Sequence, residues 1–239
     1  MFAAAPEEGP GLFPPTRWTL VVLLQRHPEQ RREALGALLG PRWNALYALA
    51  RRRGFSPAES EDAVQSFIER LVKGDVLENL DPERGRLRAY LKTAFSHHLV
   101  NVRASASAQK RGAGRPSLNL DALEAFVGSS KATPEVLFDR AYALGLFEAA
   151  LSDLEQEFAR GERQGPFTVL KELFRFGETA SYAELAAQHS MSVPQLKAFV
   201  HRAKRRFGQL FRARVAETVA APDEVDAELE SVLALLGGG

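Results

Sequence analysis

The chain contains no cysteine. Disulfides, thiolate metal sites and cysteine nucleophiles are excluded together, and the lack fits a reducing compartment. Long apolar runs are missing too. A run such as Leu20 to Leu24 falls far short of the roughly 20 residues that a membrane-spanning helix needs. The first residues carry Glu7, Glu8 and several prolines instead of a basic start and an apolar block, so no signal peptide is expected. Strict polar–apolar alternation, the mark of a half-buried strand, is not found over any convincing length. The five histidines offer no metal spacing, since His97 and His98 are adjacent and diverge by about 100° on a helix. No glycine loop cradles phosphate, and no Gly-x-Ser-x-Gly elbow appears. Neither enzyme chemistry nor a cofactor or metal site is expected.

What is present is a globular composition. Of 239 residues, 45% are hydrophobic and 26% charged, which excludes a disordered chain and leaves room for two small domains or one large one. The net charge of +1 conceals a sharp division. From Arg84 to Arg115 there are eight Lys or Arg and no acid, and from Lys197 to Arg214 there are seven and no acid. The two windows hold +15, so the remainder of the chain carries −14. Two basic windows on an acidic body point to two contacts with a polyanion. The plainer alternative is a pair of solvated helix faces matched by acids elsewhere.

The periodicity is helical almost throughout, which predicts an all-α fold. Pro41 to Arg53 has the stripe Trp43, Leu46, Tyr47 and Ala50, with Arg51 to Arg53 at the negative end of the helix dipole and Gly54 as a left-handed cap. Ser56-Pro57-Ala58-Glu59 opens the next helix as a capping box, followed by Ala63, Val64, Phe67, Ile68, Leu71 and Val72. A third helix carries Leu87, Tyr90, Leu91, Ala94, Phe95, His98, Leu99 and Val102 on one side. Residues 105–131 are rich in Ser, Ala and Gly and read as a linker, with a short ordered piece near Leu118 to Val127. Thr133-Pro134 restarts helix, with Leu137, Ala141, Leu144, Phe147, Leu151 and Leu154 on one face, and another helix begins near Pro166.

Ser181 to Phe207 reads as a helix-turn-helix. Tyr182, Leu185 and Ala186 mark the inner face of a short first helix, and 189–192 form the turn. Ser192 caps a second helix with Pro194 in its first turn. Val193, Leu196, Val200, Ala203 and Phe207 share one sector, and Gln195, Ala198, His201, Arg202 and Arg205 lie opposite, flanked by Lys197 and Lys204. A reader helix needs this split, because one side must fix it to the domain while the other reaches bases and phosphates. Two details count against this reading: Ser190 stands where a turn glycine is usual, and Phe199 lies at the edge of the apolar sector, where extra core packing is the plainer alternative.

Four stretches together resemble a sigma factor of bacterial RNA polymerase, of the extracytoplasmic-function type with regions two and four alone. They are Thr16-Arg17-Trp18 with Trp43-Asn44-Ala45-Leu46-Tyr47; Ser56 to Arg70, including Asp62-Ala63-Val64-Gln65-Ser66-Phe67; Asp81 to Arg88 with Asn101 and Ala108-Gln109-Lys110-Arg111-Gly112; and Ser181 to Phe207. The resemblance implies two small helical domains joined by a flexible linker. Residues 1–12 are then a mobile N-terminus, 13–112 region two, 113–132 the linker, 133–216 region four and 217–239 an acidic tail. It implies a cytoplasmic protein whose partners are core RNA polymerase and promoter DNA, with an anti-sigma protein as a further candidate. Asp62, Gln65 and Glu69 would grip polymerase. Arg88, Lys92, Asn101, Arg103, Lys110 and Arg111 would hold the −10 single strand. Gln195, Lys197, Ala198, His201, Arg202 and Arg205 would read the −35 duplex. Such relatives carry further arginines where this chain has Ser105 and Ser107, so fewer phosphate contacts and a weaker salt dependence are expected.

A different class remains open: a stand-alone helix-turn-helix regulator that binds a palindrome as a dimer without polymerase. The tail offers a further choice. Val225, Leu229, Val232, Leu233 and Leu236 form one face of an amphipathic helix with acids on the other. It either packs on the basic helix-turn-helix and holds it off DNA, or completes the core of that domain.

Overall fold

Free backbone groups at helix termini are met by side chains at some helix starts and by backbone turns at others. The computed structural model describes residues 35–36, 39–73, 86–106, 123, 125, 127–128, 131–160 and 182–237. The expected helix near Pro166, the N-terminal dozen, most of the linker, Lys110 and Arg111 lie outside the described residues. A 3-10 turn at Gly40–Arg42 leads directly into α1, Trp43–Arg52. Gly54 takes φ +89°, and the amide of Phe55 reaches the Ala50 carbonyl at 3.2 Å while that of Gly54 reaches Arg51 at 3.0 Å. This Schellman closure needs a left-handed residue, which glycine supplies without a Cβ clash. The capping box of α2, Pro57–Lys73, is formed as expected: the Ser56 amide donates to Glu59 Oε2 at 2.8 Å, and the Glu59 amide to Ser56 Oγ at 3.3 Å.

Among the described residues the further helices include α3 (Leu87–Ala106), α4 (Pro134–Arg160), α5 (Tyr182–Gln188), α6 (Val193–Ala216) and α7 (Val225–Gly237). Among the described residues there is no strand, and no helix is long and apolar enough to cross a membrane. The all-helical expectation is met.

Among the described residues the core comprises two clusters, and two long helices run through both. The larger unites α1, α2, α3 and most of α4 with Phe211 and Val215 of α6 and Val232 of α7. The smaller joins Leu154 of α4 to Leu185 and Ala186 of α5 and to Leu196, Phe199, Val200 and Ala203 of α6. The helices expected on either side of residues 113–132 thus share apolar packing, most extensively between α1 and α4. Gly145 makes that approach possible, since a Cβ there would lie 2.0 Å from the Pro41 carbonyl oxygen. Phe67 and Phe95 meet edge to face at 5.1 Å between centroids and tie α2 to α3.

Leu144 departs from the expected stripe of α4 and is 40% exposed. The face actually buried centres on Phe138, Tyr142 and Leu146, because α4 is enclosed by α1 on one side and by α6 and α7 on others. Leu144 is two residues from Tyr142 and so about 200° around the helix.

Candidate nucleic-acid interface

The turn between α5 and α6 is built by the same closure as that after α1. The Met191 amide donates to the Ala186 carbonyl at 2.8 Å and the Ser190 amide to Ala187 at 3.3 Å, with Ser190 at φ +52°. Serine here bears the left-handed conformation that glycine would take more cheaply. Ser192 then caps α6: its Oγ accepts from the Gln195 amide at 3.3 Å, and the Ser192 amide donates to Gln195 Oε1 at 2.9 Å. Gln195, expected as a base reader, therefore also closes the helix start.

Behind the turn the α6 stripe is buried. Phe199 belongs to it, 7% exposed and 5.5 Å from the Phe158 ring of α4, so its edge position serves packing. Gln195, Lys197, Ala198, His201, Arg202, Lys204 and Arg205 are all exposed. The Lys197 ammonium lies 5.9 Å from the Tyr182 ring centre. Among the described residues no carboxylate pairs with Arg202, Lys204 or Arg205. Further along α6 the pattern reverses. Arg206 makes a two-pronged pair with Glu157 at 2.6 and 2.8 Å, Arg214 another with Asp153 at 2.5 and 2.6 Å, and Arg212 pairs with Asp226. Hydrogen bonding to Asp153 holds the Arg214 pKa above its usual value, and Arg212 holds that of Asp226 below. The basic window thus splits into an open N-terminal half and a neutralised C-terminal half.

The basic helix α3 is divided as well. Arg88, with only 14% of its side chain exposed, donates to Glu228 through Nε at 3.1 Å and Nη2 at 3.3 Å, and lies 3.4 Å from Asp139. Lys92 meets both oxygens of Asp139, at 2.8 and 3.0 Å. About 20 Å along the helix, Asn101 and Arg103 are exposed. Arg103 donates to the Arg53 carbonyl at 2.6 Å and stacks 4.9 Å over the Phe55 ring. The residues expected to hold one strand are therefore of two kinds, paired at the head of α3 and open at its end. Tyr90 and Phe95 pack inward. Burial pushes the Tyr90 phenol up to about 12.

Asp62, Gln65 and Glu69 form one exposed strip on α2, with the Gln65 amide donating to Glu69 at 3.3 Å. Behind that helix, buried His98 lies between Ser66 Oγ, 2.9 Å from Nε2, and Arg70 Nη1, 3.3 Å from Nδ1. Arginine can only donate, so Nδ1 accepts and Nε2 carries the proton. Burial, aided by the Arg70 charge, holds the imidazole below its ordinary pKa. His97 is exposed on another side, and no group of three metal-binding side chains occurs among the described residues.

The tail follows neither expected course alone. α7 lies on α4 and the C-terminal part of α6, and it reaches α3 through Glu228. Nothing in the sequence marked Glu228 as a partner of Arg86 and Arg88, from which it is separated by 142 and 140 positions. No family model matches the chain, and no curated protein or solved structure does.

Proposed function

We propose that this chain is a sigma factor of the extracytoplasmic-function type, directing bacterial core RNA polymerase to promoters. One observation carries the reading: α5, its closed turn and the capped start of α6 present Lys197, His201, Arg202, Lys204 and Arg205 outward while the opposite stripe is buried. An element of this shape and charge fits the major groove. The resemblance in sequence supplies the remainder of the reading. Residues 13–112 would serve as the polymerase and −10 unit, with the Asp62–Gln65–Glu69 strip as the polymerase contact. Residues 133–216 would serve as the −35 unit. The protein would act in the cytoplasm without chemistry of its own.

Co-elution of the full chain with core polymerase, and new start sites in a genome-wide run-off, test the proposal. Failure of both sinks it. A gel shift with the isolated protein separates the stand-alone regulator, which would bind duplex tightly without polymerase. Replacing Arg202 and Arg205 together with Ala should weaken duplex binding by roughly tenfold or more and flatten its salt dependence, measured by anisotropy against salt. A circular dichroism spectrum matching the parent protein would confirm that the helix persists.

A further inference from the structure

The head of α3 is an anion site that already holds an anion. Arg86 Nη1 lies 2.6 Å from Glu228 Oε2, while Arg88 grips both oxygens and donates from Nη2 to Ser231 Oγ at 2.9 Å. Two guanidinium groups converging on one oxyanion form the donor set used for phosphate as readily as for carboxylate. The Glu228 side chain is fully buried, yet 33% of Arg86 and 14% of Arg88 remain open to solvent. The Leu87 amide, among the first N–H groups of α3, is taken by the Thr218 carbonyl at 3.1 Å, on the segment that leads into α7. The tail thus covers both the charges and part of the polar end of this helix.

The cover is held by docking on the rest of the molecule. α7 has 13 residues, too few for a stable helix on its own, so it exists by docking. Val225 and Val232 are buried, Leu229, Leu235 and Leu236 pack partly buried against the large cluster, and Leu233 is half exposed. Its pair with Arg212 lies at the surface. The site beneath carries Arg86, Arg88 and Lys92 against Glu228 and Asp139, and departure of Glu228 raises its net charge from +1 to +2.

We propose that α7 is an internal competitor of the nucleic-acid backbone, with Glu228 occupying the phosphate site of Arg86 and Arg88 until a strand displaces it. The proposal rests on the functional reading above, because it takes α3 as a strand-binding helix. Being tethered, the carboxylate acts at high effective concentration, so free strand binds weakly and a strand presented in a complex binds well.

The test uses the full chain and a short fluorescein-labelled oligo-dT strand. Glu228→Gln keeps the shape and the acceptor oxygen but removes the charge. It should raise probe affinity about five- to tenfold at low salt and steepen the salt dependence, whereas Glu230→Gln, at an exposed position of the same helix, should change neither. Unchanged affinity in a folded Glu228→Gln protein overturns the proposal. Should that variant fail to fold, hydrogen exchange on the parent protein decides. Saturating probe should speed exchange across 225–237 while slowing it in 87–103, and unaltered exchange in 225–237 overturns the idea. Polymerase co-elution is measured on the same samples. Its retention with unaltered strand binding removes the tail proposal alone, whereas loss of polymerase and strand binding together removes the functional reading with it.

Discussion

His98 is the residue whose environment most clearly ties stability to pH. Its folded pKa lies below that of a free imidazole because of burial and Arg70. Below about pH 6.5 the unfolded chain therefore binds a proton that the folded chain resists. The stabilisation is complete above that value and drains away as pH falls towards the folded pKa. Urea midpoints between pH 7 and 5 should fall in the parent protein, with this proton contributing at most about 1.4 kcal/mol per pH unit. His98→Gln should show a flatter profile over the same range, and parallel profiles would refute the assignment. The residue itself was legible as part of an apolar stripe. Its contacts with Ser66 and Arg70 were not, because they cross between α2 and α3 and depend on the angle at which the helices meet.

At the scale of elements, the α5–α6 turn contains one strained position and one favourable one. Ser190 holds φ +52°, which costs a residue with a Cβ more than it costs glycine. Ser190→Gly should stabilise the protein by about 0.5 kcal/mol, the relief outweighing the greater freedom glycine has when unfolded. Ser192→Ala removes the α6 cap and should cost about 1 kcal/mol. Urea midpoints of the two variants should move in opposite directions, and a shift of both the same way would contradict this account. Such features were readable in advance, since caps depend on residues three or four apart. The same holds for Gly54 and for Ser56 with Glu59. The division of the basic windows was not readable. Arg206, Arg214, Lys92 and Arg88 find their acids 49, 61, 47 and 140 positions away. A window empty of acids therefore overstates its free charge, and only the first half of α6 and the end of α3 retain it.

For the whole molecule, the decisive contact is the one between α4 and the turn before α1. Gly145 lets backbone meet backbone there, and Pro41 cannot yield as a flexible side chain would. Gly145→Ala should therefore destabilise the protein by about 3 kcal/mol, despite alanine's better helix propensity. Thermal unfolding followed by circular dichroism checks this, and a gain in stability would show that the two segments separate readily. The composition of 113–132 suggested a division of the chain, but it could not reveal that Leu137, Phe138, Ala141 and Tyr142 belong to the same cluster as α1 to α3. Loop chemistry describes the connection, whereas burial is settled by what the next helix finds to cover it.

The continuity of α6 gives the molecule a pointer. Phe211 and Val215 are held in the large cluster and Leu196, Phe199, Val200 and Ala203 in the smaller, and Arg205 lies on the rod about 15 Å from Val215. A tilt of about 10° at the large cluster, with the smaller cluster repacking alongside, would move Arg205 by roughly 3 Å, enough to trade one hydrogen-bond partner for the next. The position of the exposed arginines is thus set by buried residues of both clusters. On the proposed reading, substitutions at Phe211 or Val215 that preserve stability should alter which duplex sequence is preferred before they alter overall affinity for duplex.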